Sequence, residues 1–418
     1  MDHARLTWCL KRDQYRRGLG ARRQKGVRMA TAYQTQITKA NDIVRAAIDQ
    51  QIAAGHEIGV QVAAYLDGEL VVDTWSGFAD TDSGRMVDGN TLFNRYSVTK
   101  AIIATALHIQ ADRGRLTYDA PVAEYWPEYA VNGKAATTVR HIITHRAGVP
   151  QMPEGVTPDS ICDWDETVSR IGSLTPICEP GTKALYQSMT FGWLVGELVR
   201  RTDPQQRPIA QFIREEIAVP LGIADLWLGL PDSEMHRFAR HVSAIAAVPT
   251  EHQPPLMQAS MPDAIMLGPD IYAENAKVRR SGIPGVGGIF NARSEVRVWA
   301  MLAQGGELDG VRLLSRELVD TLYTMRDDPD EPDAVMYGVP IPLTIGGFWL
   351  GTDYPPTCAV GSNSAICHPG FGNSIGWADR ERRLAVSICH NRMSQPMSAD
   401  QDSMLPIAQA VRAALGMN

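Results

Sequence analysis

Residues 93–114 read FNRYSVTKAIIATALHIQADRG, and the reading of this stretch decides the fold. Of 20 serines only Ser97 is followed three positions later by a lysine, in a chain with seven lysines against 33 arginines. Chance alone would supply about 0.3 such pairs, so the spacing carries information mainly through its context. Ala101, Ile102, Ile103, Ala104, Ala106 and Leu107 make the following helix apolar on nearly every side, the mark of a buried helix. Ser97 stands at its head, and the i, i+3 spacing sets Lys100 one turn along on the same face. Desolvation disfavours the ammonium form, and an uncharged amine is a base for a serine hydroxyl. A guanidinium cannot surrender its proton, so a lysine kept here by an arginine-rich chain is informative. The helix N-terminus also offers unpaired backbone N–H groups to a developing oxyanion. The bland alternative is a capping serine beside a snorkelling lysine.

Working outward, TKANDIVRAAIDQQIAA (38–54) places Ile43, Ala47, Ile48 and Ile52 on one face, which predicts an amphipathic helix. IGVQVAAYLDGELVVDTWSG (58–77) is two β-rich runs around Asp67-Gly68, the chemistry of a two-residue hairpin turn. Helices are expected near 97–113, 137–146, 187–201 and 207–218, and strands at 362–368, 373–378 and 383–390, before a closing helix in SMLPIAQAVRAALG. Strands at both ends with helices between give an α+β fold: one antiparallel sheet flanked by the terminal helices, with a mostly helical subdomain against it. The expected division is a sheet domain from 35–95 and 285–418, and a helical subdomain over 96–284. Within the latter, 244–284 is rich in Pro, Met and Gly and reads as a lid or binding loop. Met257, Met261 and Met266 there suit either an adaptable apolar acyl pocket or plain core.

At 418 residues, 44% hydrophobic and 21% charged, the chain is long enough for one large core or two adjoining lobes. Net charge is −7, but residues 1–28 hold nine Arg/Lys against two Asp, so the remainder stands near −14. That acidic body argues against nucleic acid as a partner. The basic leader, 1–34, reads as disordered and lacks the apolar run and cleavage site of a secretory signal, with Met29 an alternative start. Six cysteines show no C-x-x-C spacing and read as reduced thiols. No apolar run approaches the length of a membrane span. A cytosolic location and no membrane association are expected.

Other motifs bear on chemistry. Tyr186 precedes an apolar helix, with Ser188 two residues on; beside a serine and a positive lysine its phenol would be driven toward phenolate and can shuttle a proton. His368-Pro369-Gly370 sets a polar side chain before a glycine that permits close backbone approach. Gly372-Asn-Ser-Ile-Gly376 spells the G-x-S-x-G of a nucleophile elbow, yet a polar turn and another strand follow Ser374 where an elbow needs a helix. His141 and His145 fall i, i+4 on an expected helix without a carboxylate to complete a zinc set, and His145 reads as structural. His56-Glu57 lacks the second histidine of H-E-x-x-H. Asp327, Asp328, Asp330, Glu331 and Asp333 read as a solvated loop, since the glycine and last glutamate of an EF-hand are missing. No dinucleotide or phosphate loop is present, and no cofactor or metal is expected.

In this order, Ser97-x-x-Lys100, Tyr186-x-Ser188 and His368-x-Gly370 resemble the three motifs of the serine β-lactamase and penicillin-binding protein superfamily. TLFNRYSVTK, RGRLTYDAPVAEYWPEY, VRHIITHRAGVP, EPGTKALYQSMTFGWLVGELV and GVGGIFNARSEVRVWAMLAQGG extend the likeness to the class C branch over most of 40–415, and within it the chain is similar to the family VIII carboxylesterases. The resemblance implies Ser97 as nucleophile, Lys100 and Tyr186 as the base pair, the backbone N–H groups of Ser97 and Phe371 as oxyanion hole, and Ser188, His368 and Gly370 as substrate-binding positions. Two departures stand out. His368 replaces the lysine of K-T-G and with it the permanent charge that would hold a penicillin carboxylate, and Ser188 replaces the asparagine of Y-x-N. The expected activity is a serine carboxylesterase acting on small to medium esters. An acyltransferase, a β-lactamase or D-amino-acid peptidase, and a non-catalytic binding relative are the alternatives.

Overall fold

The hairpin expected at Asp67-Gly68 anchors the sheet. Both turn residues have positive φ, 53° and 85°, the requirement of a two-residue turn whose twist matches the strands it joins. The computed structural model describes residues 37–245, 253–265, 271–272 and 275–417. The leader and Met266 lie outside these residues.

From the N-terminal part of the chain come strands β1 (Gly59–Leu66), β2 (Glu69–Asp80) and β3 (Arg85–Met86). The C-terminal part adds β4 (Trp349–Leu350), β5 (Ile366–Gly370), β6 (Ser374–Asp379) and β7 (Leu384–His390). They form one sheet in the order β4-β5-β6-β7-β1-β2-β3, antiparallel throughout. Among the described helices, α1 over residues 37–53, α4 (Ala292–Ala303) and α5 (Met404–Ala414) pack on it, while α2 (Thr99–Asp112) and α3 (Thr190–Thr202) belong to the helical part beside it.

The two-residue period of the strands explains why both sheet faces are covered. Val60, Val62 and Ala64 of β1 and Leu384, Val386 and Ile388 of β7 pack with Ala40, Val44 and Ile48 of α1 and Met404, Ile407 and Val411 of α5. The intervening Ala63, Tyr65, Ala385 and Cys389 join Val296, Trp299 and Ala300 of α4 in a second core. That core continues into α2, in which every residue from Thr99 to Gln110 is buried, and α2 packs along α3.

Several expectations shift. The helix expected over 137–146 is only Val139–Ile143, and His145 lies beyond it with φ at 59°. The i, i+4 pairing of His141 and His145 on one helix therefore does not exist. The helix of 207–218 widens along its length, α over Ile209–Ile213 and π over Arg214–Ala218. Within 244–284, the described residues include short helices at Pro255–Ser260 and Ala276–Ser281. After Ser374 the chain continues as β6 and turns back into β7, so no strand-to-helix elbow forms there. Among the described residues, no helix is long and apolar enough to cross a membrane, and the five cysteines there are free thiols.

Candidate active site

Ser97 sits in a single 3-10 turn, Tyr96–Val98, leading directly into α2. The residue before it, Tyr96, has φ of 46°, a left-handed conformation that costs a bulky residue about 1–3 kcal/mol unless its surroundings over-determine it. They do. The Tyr96 ring meets His241, Tyr272 and Phe371 edge-on at 5.6, 5.6 and 5.9 Å, and its hydroxyl donates to Met393 Sδ at 3.2 Å. One residue earlier the Arg95 guanidinium is wholly buried, paired with Glu295 of α4 at 2.5 Å and donating to the Ile375 carbonyl of β6 at 3.0 Å. The turn bearing Ser97 is thus fixed to α4 and to the sheet.

Lys100 is fully buried, and its Nζ lies 2.9 Å from Ser97 Oγ, 2.7 Å from the Ser188 carbonyl and 3.1 Å from the Gly285 carbonyl. Burial holds its pKa well below the ordinary lysine value. The three contacts then sort by chemistry. A neutral amine has two N–H bonds and one lone pair; carbonyl oxygens only accept, so Ser188 and Gly285 take the two hydrogens. In this neutral form, which burial favours, the lone pair is left facing the Ser97 hydroxyl. Gly285 comes close enough because Gly192 of α3 has no side chain: a Cβ there would sit 2.0 Å from the Pro284 carbonyl oxygen.

Tyr186 arrives from a separate segment. Burial raises the pKa of its phenol, against a smaller lowering by the Ser97 hydroxyl, so it is not driven toward phenolate; Lys100 Nζ lies 5.3 Å from its ring centre. His145 packs against the ring at 4.7 Å and Trp349 edge-on at 5.9 Å. His145 also accepts the Gln187 N–H at Nδ1 (3.1 Å) and the Leu185 N–H at its carbonyl (2.8 Å). It is a buttress for this segment, and burial, with Lys100 second, keeps it neutral.

The acidic loop is only partly the solvated loop expected. Asp333 Oδ2 accepts the Tyr186 N–H at 2.7 Å, and Glu331 Oε1 the Ala184 N–H at 3.1 Å. Asp333 is wholly buried, its Oδ1 taken by the Val335 and Met336 amides at 2.9 and 3.1 Å. Burial pushes its pKa up to about 6 against the pull of these amides. Two acids at i, i+2 therefore clamp the strand-like backbone that carries Tyr186.

The third motif closes the site. Gly370 is where β5 passes the Ser97 turn: a Cβ would stand 2.6 Å from the Arg95 carbonyl oxygen and 3.3 Å from Val98 Cγ2. His368, two residues earlier, points to the same face of β5. Its Nδ1 is 2.8 Å from the Pro369 carbonyl, and its ring lies 5.9 Å from Trp349. Burial, and then nearby Lys100, push its pKa down to about 3. His368 Nε2 and Ser188 Oγ are both buried without a hydrogen-bond partner. Among the described residues, neither the Ser97 nor the Phe371 amide is taken by a turn, loop or capping bond. Ser374 pairs opposite Gly370 in the sheet and is buried.

All the expected positions, Ser97, Lys100, Tyr186, Ser188, His368, Gly370 and Phe371, are therefore gathered about the head of α2. Met257, with Leu256, packs against the cluster that holds Tyr186 and Trp349, whereas Met261 packs into the other core. Trp349, His145, Asp333 and Glu331 are site-forming residues that the motifs did not single out.

Residues 44–410 match the family model described as Beta-lactamase. The Esterase/beta-lactamase LipL of Mycobacterium tuberculosis is 34% identical over 358 residues, which is 81% of this chain and 78% of that protein. Among solved structures, one described as a family VIII carboxylesterase has a TM-score of 0.80 at 31% identity, over 90% of this chain and 97% of its own. A penicillin-binding protein homologue from Caulobacter crescentus has a TM-score of 0.79 at 32% identity, over the same 90% and 97%.

Proposed function

The chain belongs to the serine β-lactamase-like superfamily, in its family VIII carboxylesterase branch, and from that premise we propose that it is a serine carboxylesterase acting through an acyl-enzyme on Ser97. The observation that carries the reading is the wholly buried Lys100 amine, 2.9 Å from Ser97 Oγ with both other contacts on carbonyl oxygens. Lys100 takes the Ser97 proton as Oγ attacks the ester carbonyl. The oxyanion is held by the Ser97 and Phe371 amides at the head of α2 and the end of β5. As the ester C–O bond breaks, Tyr186 gives its proton to the departing alcohol oxygen, and the proton held by Lys100 restores the phenol. Water then attacks the acyl carbonyl, giving up a proton to the same base pair, which returns it to Ser97 Oγ as the acyl–Oγ bond breaks and the acid leaves. No step calls for a metal or cofactor, and the substrate is a small to medium neutral ester.

Lactam hydrolysis is the second reading, favoured by the name of the Mycobacterium tuberculosis relative. A neutral His368 opposes it, because a penicillin or cephalosporin brings a carboxylate that needs a cation. The deciding experiment compares p-nitrophenyl butyrate with nitrocefin on one preparation. The expected result is a kcat/KM for the ester at least about 100-fold above that for the lactam, a gap of at least about 2.7 kcal/mol in transition-state binding. Lactam turnover exceeding ester turnover would overturn the assignment.

A further inference from the structure

His368 lacks the permanent charge that a lysine would bring to this position. Its hydrogen bonds say what it offers. The Pro369 carbonyl can only accept, so the Nδ1 atom 2.8 Å from it carries the proton. In the neutral ring Nε2 is then a bare lone pair, and it is fully buried with no partner. An acceptor left without a donor in the interior costs about 1–3 kcal/mol. The atom is also placed to matter. His368 shares a strand face with Gly370, the residue that touches the Ser97 turn. Its ring and that of Tyr186 flank the same indole, Trp349, each 5.9 Å from it. Tyr186 is the group proposed to protonate the departing alcohol, and His368 stands beside the same indole as that tyrosine. Nearby, Ser188 holds a second buried orphan, a hydroxyl able to donate as well as accept.

We propose that His368 Nε2 is a specificity element that accepts a hydrogen bond from the alcohol portion of the substrate, so that the preferred esters are those whose leaving alcohol carries a further hydroxyl, as in a partial ester of a diol or polyol. This rests on the esterase reading and narrows it. A site built around a buried acceptor rejects the analogue without the donor, because that analogue leaves the acceptor unpaired. A lysine at this position would instead select an anion.

The test uses the full chain and two matched probes, 2-hydroxyethyl butyrate and 2-methoxyethyl butyrate, which differ only in the donor. The wild-type protein is expected to favour the hydroxyl ester by about 10-fold or more in kcat/KM. In His368→Leu the ratio is expected to fall to about 1, and in His368→Gln, whose side-chain oxygen can accept in the same region, to recover in part. The ratio separates recognition from damage, since a misfolded or generally slowed variant loses both substrates alike. Equal hydrolysis of the two esters by the wild type, or a preference that survives His368→Leu, overturns this proposal and leaves the esterase reading standing. Hydrolysis of neither ester, nor of p-nitrophenyl butyrate, overturns both.

Discussion

The two walls of the site are built to opposite standards of hydrogen bonding. On the α2 wall every contact of Lys100 Nζ is taken, by Ser97 Oγ, Ser188 O and Gly285 O. On the β5 side His368 Nε2 is buried and unspent, as is the Oγ of Ser188, whose carbonyl serves Lys100. A saturated environment has one arrangement and holds a reactive group in it; an unsaturated one pays a desolvation cost that only an incoming ligand can recover. On the proposed reading, chemistry falls to the saturated groups and recognition to the unsaturated ones. The acids Asp333 and Glu331 mediate between them by fixing the Tyr186 segment through backbone amides.

The contrast can be broken most severely at the saturated wall. Lys100→Arg places a permanent cation where a proton acceptor is required, so kcat for p-nitrophenyl butyrate should fall by about 10³- to 10⁴-fold, with the fold retained by circular dichroism. Next is the seam between the walls. Gly370→Val brings a Cβ to within 2.6 Å of the Arg95 carbonyl oxygen, and the resulting displacement of β5 from Ser97 should cost about 100-fold in kcat/KM.

Asp333 sharpens the comparison through pH. Its carboxyl titrates near 6 in the folded protein and near 4 when unfolded, so the native state binds the proton more tightly. Stability of the wild type relative to Asp333→Asn should therefore fall by about 3 kcal/mol as pH rises from about 4 to about 6, and stay flat above, in urea titrations. The smallest effect belongs to the other unspent group. Ser188→Ala removes a buried hydroxyl without a hydrogen-bond partner, so the free variant should be more stable by about 1–2 kcal/mol in urea titrations, although substrate affinity declines.

Much of this was legible in the sequence for reasons of range. Ser97 and Lys100 lie three residues apart on an apolar helix, and the sheet strands alternate, so both announce themselves within a dozen residues. Tyr186 and His368 could be placed only through resemblance, since nothing local ties either to Ser97. The acids were misread because their partners are backbone amides 147 residues away, and amides carry no sequence signature. His145 looked helical, but its left-handed backbone and packing on Tyr186 are set by tertiary contacts. Trp349 belongs to a two-residue edge strand, too short for any periodicity to reveal.

The central claim is that the buried pair at the head of α2 supplies the nucleophile, and peptide mapping by mass spectrometry after fluorophosphonate labelling tests it most directly. The adduct is expected on Ser97 in the wild type and in Ser374→Ala, and nowhere in Ser97→Ala. An adduct on Ser374, or undiminished labelling of Ser97→Ala, would contradict it.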